Sequence, residues 1–223
     1  MARETELKYS VSNETWSALL SADRIGEYSL EEAEYGEVHD VYSDTPDRAI
    51  SSAGFAFRIR SRGEVRVACL KSLGRGDGLG HRRVEYECDI GALESILEWP
   101  DGETRDRLLQ ITGGEPLRTE VEIRQTRVKR LLRLAAEAVA EMSLDEVRFQ
   151  SGSQMLTFFE LEVELLSDAL DHVLERIHAD LTSSYDLQAV DTSKYERAMA
   201  FRDGVVGTAQ GRKSSNSLRA SPD

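Results

Sequence analysis

Cysteine and proline are scarce, two and four in 223 residues, and no stretch reaches the ~18 consecutive apolar residues that cross a bilayer as a helix. Cys69 and Cys88 stand singly in apolar, strand-like contexts, which excludes a disulfide-stapled scaffold and a thiol metal site and leaves reduced core or wall thiols. Basic residues are the minority charge: 28 Lys+Arg against 41 Asp+Glu give a net charge of −13 and a pI near 4.9. A phosphate polyanion or an anionic bilayer is repelled by that far field, so neither nucleic acid nor membrane is an expected partner. The opening MARETELKYS carries Glu4 and Glu6 where a secretory leader needs an apolar run, which points to a cytoplasmic protein. With 40% hydrophobic and 31% charged residues, the composition is that of a globular chain with a sizeable core.

Short strands dominate the pattern. They are expected at Glu4–Tyr9, Val38–Tyr42, Phe55–Ser61, Val65–Lys71, Arg83–Ile90, Val121–Leu131, Val139–Leu144 and Phe158–Leu166, several joined by tight turns such as Ser61-Arg62-Gly63-Glu64. Eight mostly antiparallel strands are enough to close a small barrel. Helices are expected at Asn13–Ala22, Ala92–Trp99, Arg105–Ile111 and Asp168–Leu181, the last with Leu170, Val173, Leu174, Ile177 and Leu181 at helical spacing. A final short helix begins near Ser193-Lys194-Tyr195. The fold class is therefore α+β, with one domain over residues 1–202. From Asp203 the composition turns to Gly, Ser, Asn, Arg and Lys without apolar periodicity, the signature of a flexible tail over 203–223.

Charge recurs on every second residue inside these strands. Residues i, i+2 and i+4 share one face of a strand, so Glu4, Glu6 and Lys8 point one way, as do Arg58 and Arg60, then Arg83, Glu85 and Glu87, then Glu160, Glu162 and Glu164. Lys71 ends a further strand, and Arg127 lies on another with Lys129. In any one strand this is the solvated face of an antiparallel sheet. Across five or six strands that reading weakens, because like charges at i and i+2 repel unless something neutralises them. Clustered carboxylates suit a hard divalent cation and clustered arginines suit phosphate oxygens, so both together point to a metal-bound polyphosphate.

Other features carry less. His39, His81, His172 and His178 form no i,i+4 ligand pair, and His172 and His178 read as surface or packing residues. Residues 74–80 are glycine-rich but lack the strand, loop, helix and Lys-Ser/Thr of a phosphate loop, which leaves a flexible hairpin. No Ser/His/Asp or Cys/His set stands out, so water is the natural nucleophile.

The ordered motifs resemble the CYTH family, the triphosphate tunnel metalloenzymes. Glu4-x-Glu6-x-Lys8 resembles its ExExK signature, Tyr42-Ser43-Asp44-Thr45 its Y-x-D-T, and Gly54 to Arg60 its G-x-x-x-R-x-R. Cys69-Leu70-Lys71, Arg83-x-Glu85-x-Glu87, Arg127, Ser143-Leu144-Asp145, Glu160 to Glu164 and Ser193-Lys194-Tyr195-x-Arg197 follow in order, so the match spans residues 3 to about 201. Glu146 stands where the family usually has a turn glycine, and Arg124 has the opposite strand parity to Arg127.

The resemblance implies an eight-stranded, closed antiparallel β-barrel with flanking helices, its lumen a charged tunnel. It makes Glu4, Glu6, Glu162 and Glu164 the leading ligands for Mg²⁺ or Mn²⁺, with Asp145, Glu160, Glu85 and Glu87 in reserve. Lys8, Arg58, Arg60, Lys71, Arg127 and Lys194 become phosphate ligands, Arg83 a further one, and Lys8, Glu85 and Glu87 the candidates for catalysis. The implied activity is metal-dependent hydrolysis of tripolyphosphate or a small organic triphosphate. A class IV adenylate cyclase, a thiamine triphosphatase and a silent polyphosphate-binding module are the alternatives.

Overall fold

The computed structural model describes residues 2–73, 81–167 and 171–204, without the side chains of 2–4, 81–83 and 171. The glycine-rich segment at 74–80 and the expected tail from 205 onward lie outside the described residues.

Eight long strands carry the fold. They are β1 (Ala2–Val11), β4 (Glu34–Asp44), β5 (Phe55–Arg62), β6 (Val65–Ser72), β7 (His81–Asp89), β8 (Arg118–Leu134), β9 (Glu137–Ser151) and β10 (Gln154–Leu165). Three short ones join them, β2 (Arg24–Ile25), β3 (Tyr28–Leu30) and β11 (Leu187–Ala189). The order is β2-β3-β8-β4-β5-β6-β7-β1-β10-β9, with β11 beside β1 and a further pairing of β8 with β9. The sheet is therefore eleven-stranded rather than eight-stranded. The three additions are two or three residues long, too short to show a period of two in the sequence.

The helices are α1 (Asn13–Leu20), α2 (Ala49–Ser52), α3 (Glu103–Thr112), α4 (Asp171–Ser184) and α5 (Lys194–Arg202). Ser12 caps α1 by accepting from the Thr15 amide at 3.0 Å, and Ser193 with Glu196 forms a capping box on α5. The helix expected over Ala92–Trp99 shrinks to one 3₁₀ turn, Ile96–Glu98. Trp99 precedes Pro100, whose ring disfavours helical backbone at the preceding residue, and Trp99 is extended at ψ 154°. The short helix α2 was not anticipated. It is held by Asp44, whose carboxylate accepts from the amides of Thr45 and Ile50 at 2.8 Å and of Ser51 at 3.0 Å.

The strand faces divide the molecule. Leu7 and Tyr9 of β1, Met142 and Leu144 of β9, and Leu161 and Val163 of β10 point to the outer face and pack under Leu19 of α1 and Val173, Leu174, Ile177 and Leu181 of α4. On another part of the outer face, Phe57, Ala68 and Leu70 meet Ile50 of α2 and Leu108 of α3. The charged face of the sheet is thus the inner one, and the reading of these charges as a solvated outer surface fails. One end of the interior is apolar: Val121, Ile123, Val147, Phe149 and Phe158 pack against Tyr195, Ala198 and Met199 of α5. Among the described residues no helix is long and apolar enough to cross a membrane.

Candidate functional site

A cavity of about 330 Å³ is lined by the alternate charged residues of the long strands. Glu6 and Lys8 come from β1, Arg58 and Arg60 from β5, Lys71 from β6, Glu85 and Glu87 from β7, Arg127 from β8, Glu162 and Glu164 from β10 and Lys194 from α5. Antiparallel register sets the order within it. Across β1 and β10, Glu6 faces Glu164 and Lys8 faces Glu162, so the two acidic motifs lie side by side. The backbones of Glu4 and Arg83 pair across β1 and β7, but their side chains lie outside the described residues.

Lys194 is the centre of the ion-pair network. Its Nζ lies 2.9 Å from Asp145, 2.7 Å from Glu160 and 2.7 Å from Glu162. Burial works against its charge, but the three carboxylates more than offset this and raise its pKa above the ordinary lysine value. Arg127 binds Asp145 bidentately, at 2.7 and 2.5 Å, and reaches Glu162 at 2.9 Å. Lys8 sits 3.2 Å from Glu6 and 3.4 Å from Glu162. Burial raises the pKa of Glu162, yet Lys194, Lys8 and Arg127 together hold it well below the usual carboxylate range.

Asp145 and Glu160, expected as reserve metal ligands, are fully buried behind this layer and do not line the cavity. Asp145 is taken up by Arg127 and Lys194, and Glu160 by Lys194 and by Arg197 at 3.4 Å. Arg197 in turn lies 3.4 Å over the Phe158 ring. The structure thus gives both carboxylates cationic partners, while Glu6 and Glu164 keep freer positions. Oε1 of Glu6 is buried and, beyond its ion contact with Lys8, accepts no hydrogen bond.

On the opposite wall, Asp40 grips Arg60 through Nε and Nη2 at 2.7 and 2.8 Å and also accepts from Gln125 at 2.8 Å. Asp40 is 1% exposed, and sequence reasoning missed it. Its signal was the alternation Val38, Asp40, Tyr42, which puts an acid two residues before the tyrosine of the Y-x-D-T motif on the same face. Arg58 is held more loosely. Tyr42 accepts from it at 3.3 Å, Glu85 and Asp40 lie 3.6 and 3.9 Å away, and its buried Nε has no hydrogen-bond partner. Arg124 is 68% exposed whereas Arg127 is 9% exposed, so no bulge overrides their opposite parity. The strand expected over Val139–Leu144 runs on as β9 through Asp145 and Glu146 to Ser151, with no turn at Glu146.

Glu85 accepts from the Cys69 thiol at 2.7 Å and lies 3.7 Å from Lys71. Burial would raise its pKa, but Lys71 and Arg58 pull it down to about 2. Cys69 is a wall thiol, as expected, and burial pushes its pKa up, which keeps it protonated. Glu87 is exposed at the cavity rim. The aromatic pair Tyr42 and Tyr195 stack at 4.9 Å beneath α5, where the Tyr195 hydroxyl donates to Glu120 at 2.5 Å. His178 packs against Tyr9, its Nδ1 2.6 Å from the hydroxyl, and takes no part in the cavity.

Glu164 behaves differently from its neighbours. Burial, then the facing Glu6 and the nearby Glu85, raise its pKa to about 7 from 4.5. A carboxyl whose pKa is raised on folding favours the folded state when protonated, so this contribution is complete below pH 4.5 and is lost as pH rises through 7. Without divalent metal, stability should fall by about 1–2 kcal/mol over that window, the shift being discounted for the group's remaining exposure. Glu164→Gln should flatten the slope, as read from denaturant midpoints at pH 5 and 8 with a chelator present. An unchanged slope would remove Glu164 as its source.

An inner face of ion pairs with an outer face of apolar side chains defines a barrel-like protein built around a charged interior, the reverse of an ordinary β core. The chain belongs to the CYTH domain family, whose model matches residues 2–195. Its fold is shared with a Hippeastrum protein with a dominant triphosphatase activity (22% identity, 90% of this chain and 96% of that one, TM-score 0.63). A protein of Pyrococcus horikoshii OT3 is similar at 22% identity over 89% of this chain and 99% of that one, with a TM-score of 0.58. A candidate adenylate cyclase of Bacillus halodurans is similar at 20% identity over 88% and 98%, with a TM-score of 0.57.

Proposed function

We propose that the protein is a metal-dependent triphosphatase that cleaves a phosphoanhydride bond of tripolyphosphate, or of a small organic triphosphate, inside a tunnel walled by the eight long strands. The pairing of β8 with β9 supports the tunnel, since it joins the strands at the two ends of the β8 to β9 path. The observation that carries the reading is the facing of Glu6 and Glu164 in one cavity with Arg58, Arg60 and Lys71. Two carboxylates directly opposite one another repel unless a cation intervenes. Their hard oxygen donors, with Oε1 of Glu6 contacted only by the Lys8 ammonium, fit Mg²⁺ or Mn²⁺.

Glu6, Glu162 and Glu164, with Glu4 beside them in the motif, would hold the ion, which when bound offsets phosphate charge and acidifies water. The protein's own residues do the rest. Asp40 and Asp145 each occupy Nε and Nη2 of their arginine, which fixes the forks of Arg60 and Arg127 and leaves Nη1 of each for phosphate oxygens. Arg58, held by a 3.3 Å bond to Tyr42 and by no short ion pair, keeps its guanidinium available to phosphate oxygens. Lys8 and Lys71 add charge at the phosphoryl being transferred, and Lys194 holds Asp145, Glu160 and Glu162 in place. Water adds to the terminal phosphorus as the bond to the bridging oxygen breaks, releasing phosphate and pyrophosphate. We read Glu85, held ionised near Arg58 and Lys71, as an orienting carboxylate rather than a base, and Asp145 and Glu160 as anchors rather than metal ligands.

Tripolyphosphate, ATP, thiamine triphosphate and pyrophosphate, each with Mg²⁺ or Mn²⁺, test the reading through phosphate release and cyclic nucleotide formation. Of these four, tripolyphosphate should be the best substrate, with ATP slower, because no cavity residue among the described ones is arranged for a base or sugar. Cyclic AMP as the main product would make the protein a cyclase. Tight binding without turnover would make it a polyphosphate-binding module.

A further inference from the structure

Arg58 and Arg60 belong to the family-like motif, but the same strand face carries a third arginine beyond it. Arg62 is the last residue of β5, at the tip of the β5–β6 hairpin, and it lines the cavity. Four residues of extended strand place it about 13 Å along the wall from Arg58. Its surroundings differ from those of the deeper cations. Arg60 is tied to Asp40, Arg127 to Asp145, Lys194 to three carboxylates and Lys129 to Glu141. Among the described residues no carboxylate lies within ion-pair distance of Arg62 and none of its nitrogens is hydrogen-bonded. Partial burial, with Arg60 and Arg127 nearby, lowers its pKa against the opposing pull of Glu141, yet a guanidinium remains charged. A cation held near like charges at the rim gains most from an added anion. Among the described residues the rim offers no aromatic platform for a base: the cavity's tyrosines, Tyr42 and Tyr195, stack on each other and pack with α5.

We infer that Arg62 is a specificity-determining residue that binds the phosphoryl group following the three held deeper in the cavity, so that the enzyme favours tetrapolyphosphate over tripolyphosphate. The inference rests on the triphosphatase reading and extends its substrate class to longer linear polyphosphates. The chemistry is unchanged: water adds at phosphorus, a phosphoanhydride bond breaks, and the leaving chain is one phosphoryl longer.

The test compares kcat/KM for tetrapolyphosphate and tripolyphosphate in the unmodified protein, Arg62→Gln and Arg62→Lys. The ratio should fall on the order of tenfold in Arg62→Gln, the size of one charge-assisted contact, and by less in Arg62→Lys. Thermal melting of both variants should match that of the unmodified protein, because Arg62 makes no ion pair among the described residues. An unchanged ratio in Arg62→Gln would overturn the assignment. If the unmodified protein hydrolyses neither anion, the triphosphatase reading fails, and calorimetric binding of the same two anions decides the role of Arg62: selectivity for the longer anion that disappears in Arg62→Gln supports it, and equal affinities overturn it.

Discussion

Replacing Lys194 with methionine should lower the melting temperature by on the order of 10 °C at pH 8 and by clearly less at pH 5. Methionine retains much of the buried stem but leaves Asp145, Glu160 and Glu162 without the cation that lies within 2.9 Å of each. Removing one partner of a buried ion pair costs about 3–5 kcal/mol, and roughly 2–4 °C accompanies each kcal/mol in a chain of about this size. The pH dependence identifies the cause. Carboxylates deprived of their cation have raised pKa values, so acid neutralises them and relieves the penalty, whereas at pH 8 they stay charged. A loss that is equal at both pH values would mean that side-chain packing, not charge, makes Lys194 important. Arg127 is also held by Asp145, so the same variant should lose activity through misplacement of that guanidinium.

Arg58→Ala should behave in the opposite way, losing roughly 100-fold in kcat/KM for tripolyphosphate while its melting temperature changes by no more than about 2 °C. Arg58 makes no short ion pair, its closest carboxylate contact being 3.6 Å, and its Nε is buried without a partner. Removing it gives up the 3.3 Å bond to Tyr42 and the longer-range pull on Glu85 and Asp40, which Lys71 and Arg60 still supply, and also removes an unsatisfied donor. Its contribution is expected only when phosphate oxygens are present, so excess Mn²⁺ should not restore the activity. Glu164→Gln provides the contrast. It weakens the cation site without breaking an ion pair found among the described residues, and raising Mn²⁺ should recover part of its activity. Glu162→Gln is less clean, because Glu162 also holds Lys8, Arg127 and Lys194. If Arg58→Ala and Glu164→Gln respond identically to Mn²⁺, the division between phosphate and metal residues is wrong.

The two variants separate residues that hold the cavity together from residues that wait for a ligand. That difference was invisible in the sequence, where alternation presents Arg58 and Arg127 alike as strand cations and the resemblance to S-K-Y-x-R adds Lys194 as one more phosphate ligand. Distances distinguish them: Lys194 lies within 2.9 Å of three carboxylates, Arg127 is clamped through Nε and Nη2, and Arg58 makes no short ion pair.

By itself the sequence located the eight long strands, with β4, β8 and β9 shorter than they are, the charged faces of β1, β5, β6, β7, β8 and β10, and the order of the motifs, because a period of two and the ExExK to S-K-Y-x-R succession are local properties of the chain. It placed α1, α3, α4 and α5 within a few residues, since capping serines and apolar spacing are local too. Only the tertiary structure decided that the charged faces turn inward, because whether a face meets solvent or other strands depends on pairing partners distant in the chain. Glu6 faces Glu164 only through the β1–β10 register, and Asp40 meets Arg60 only through the β4–β5 register. Pairing also moved Asp145 and Glu160 from ligand candidates to buried partners of Arg127 and Lys194, because a carboxylate's role depends on which cation reaches it first across the fold. The short strands β2, β3 and β11 and the helix α2 are stable only against neighbours already in place, so no run of residues announced them.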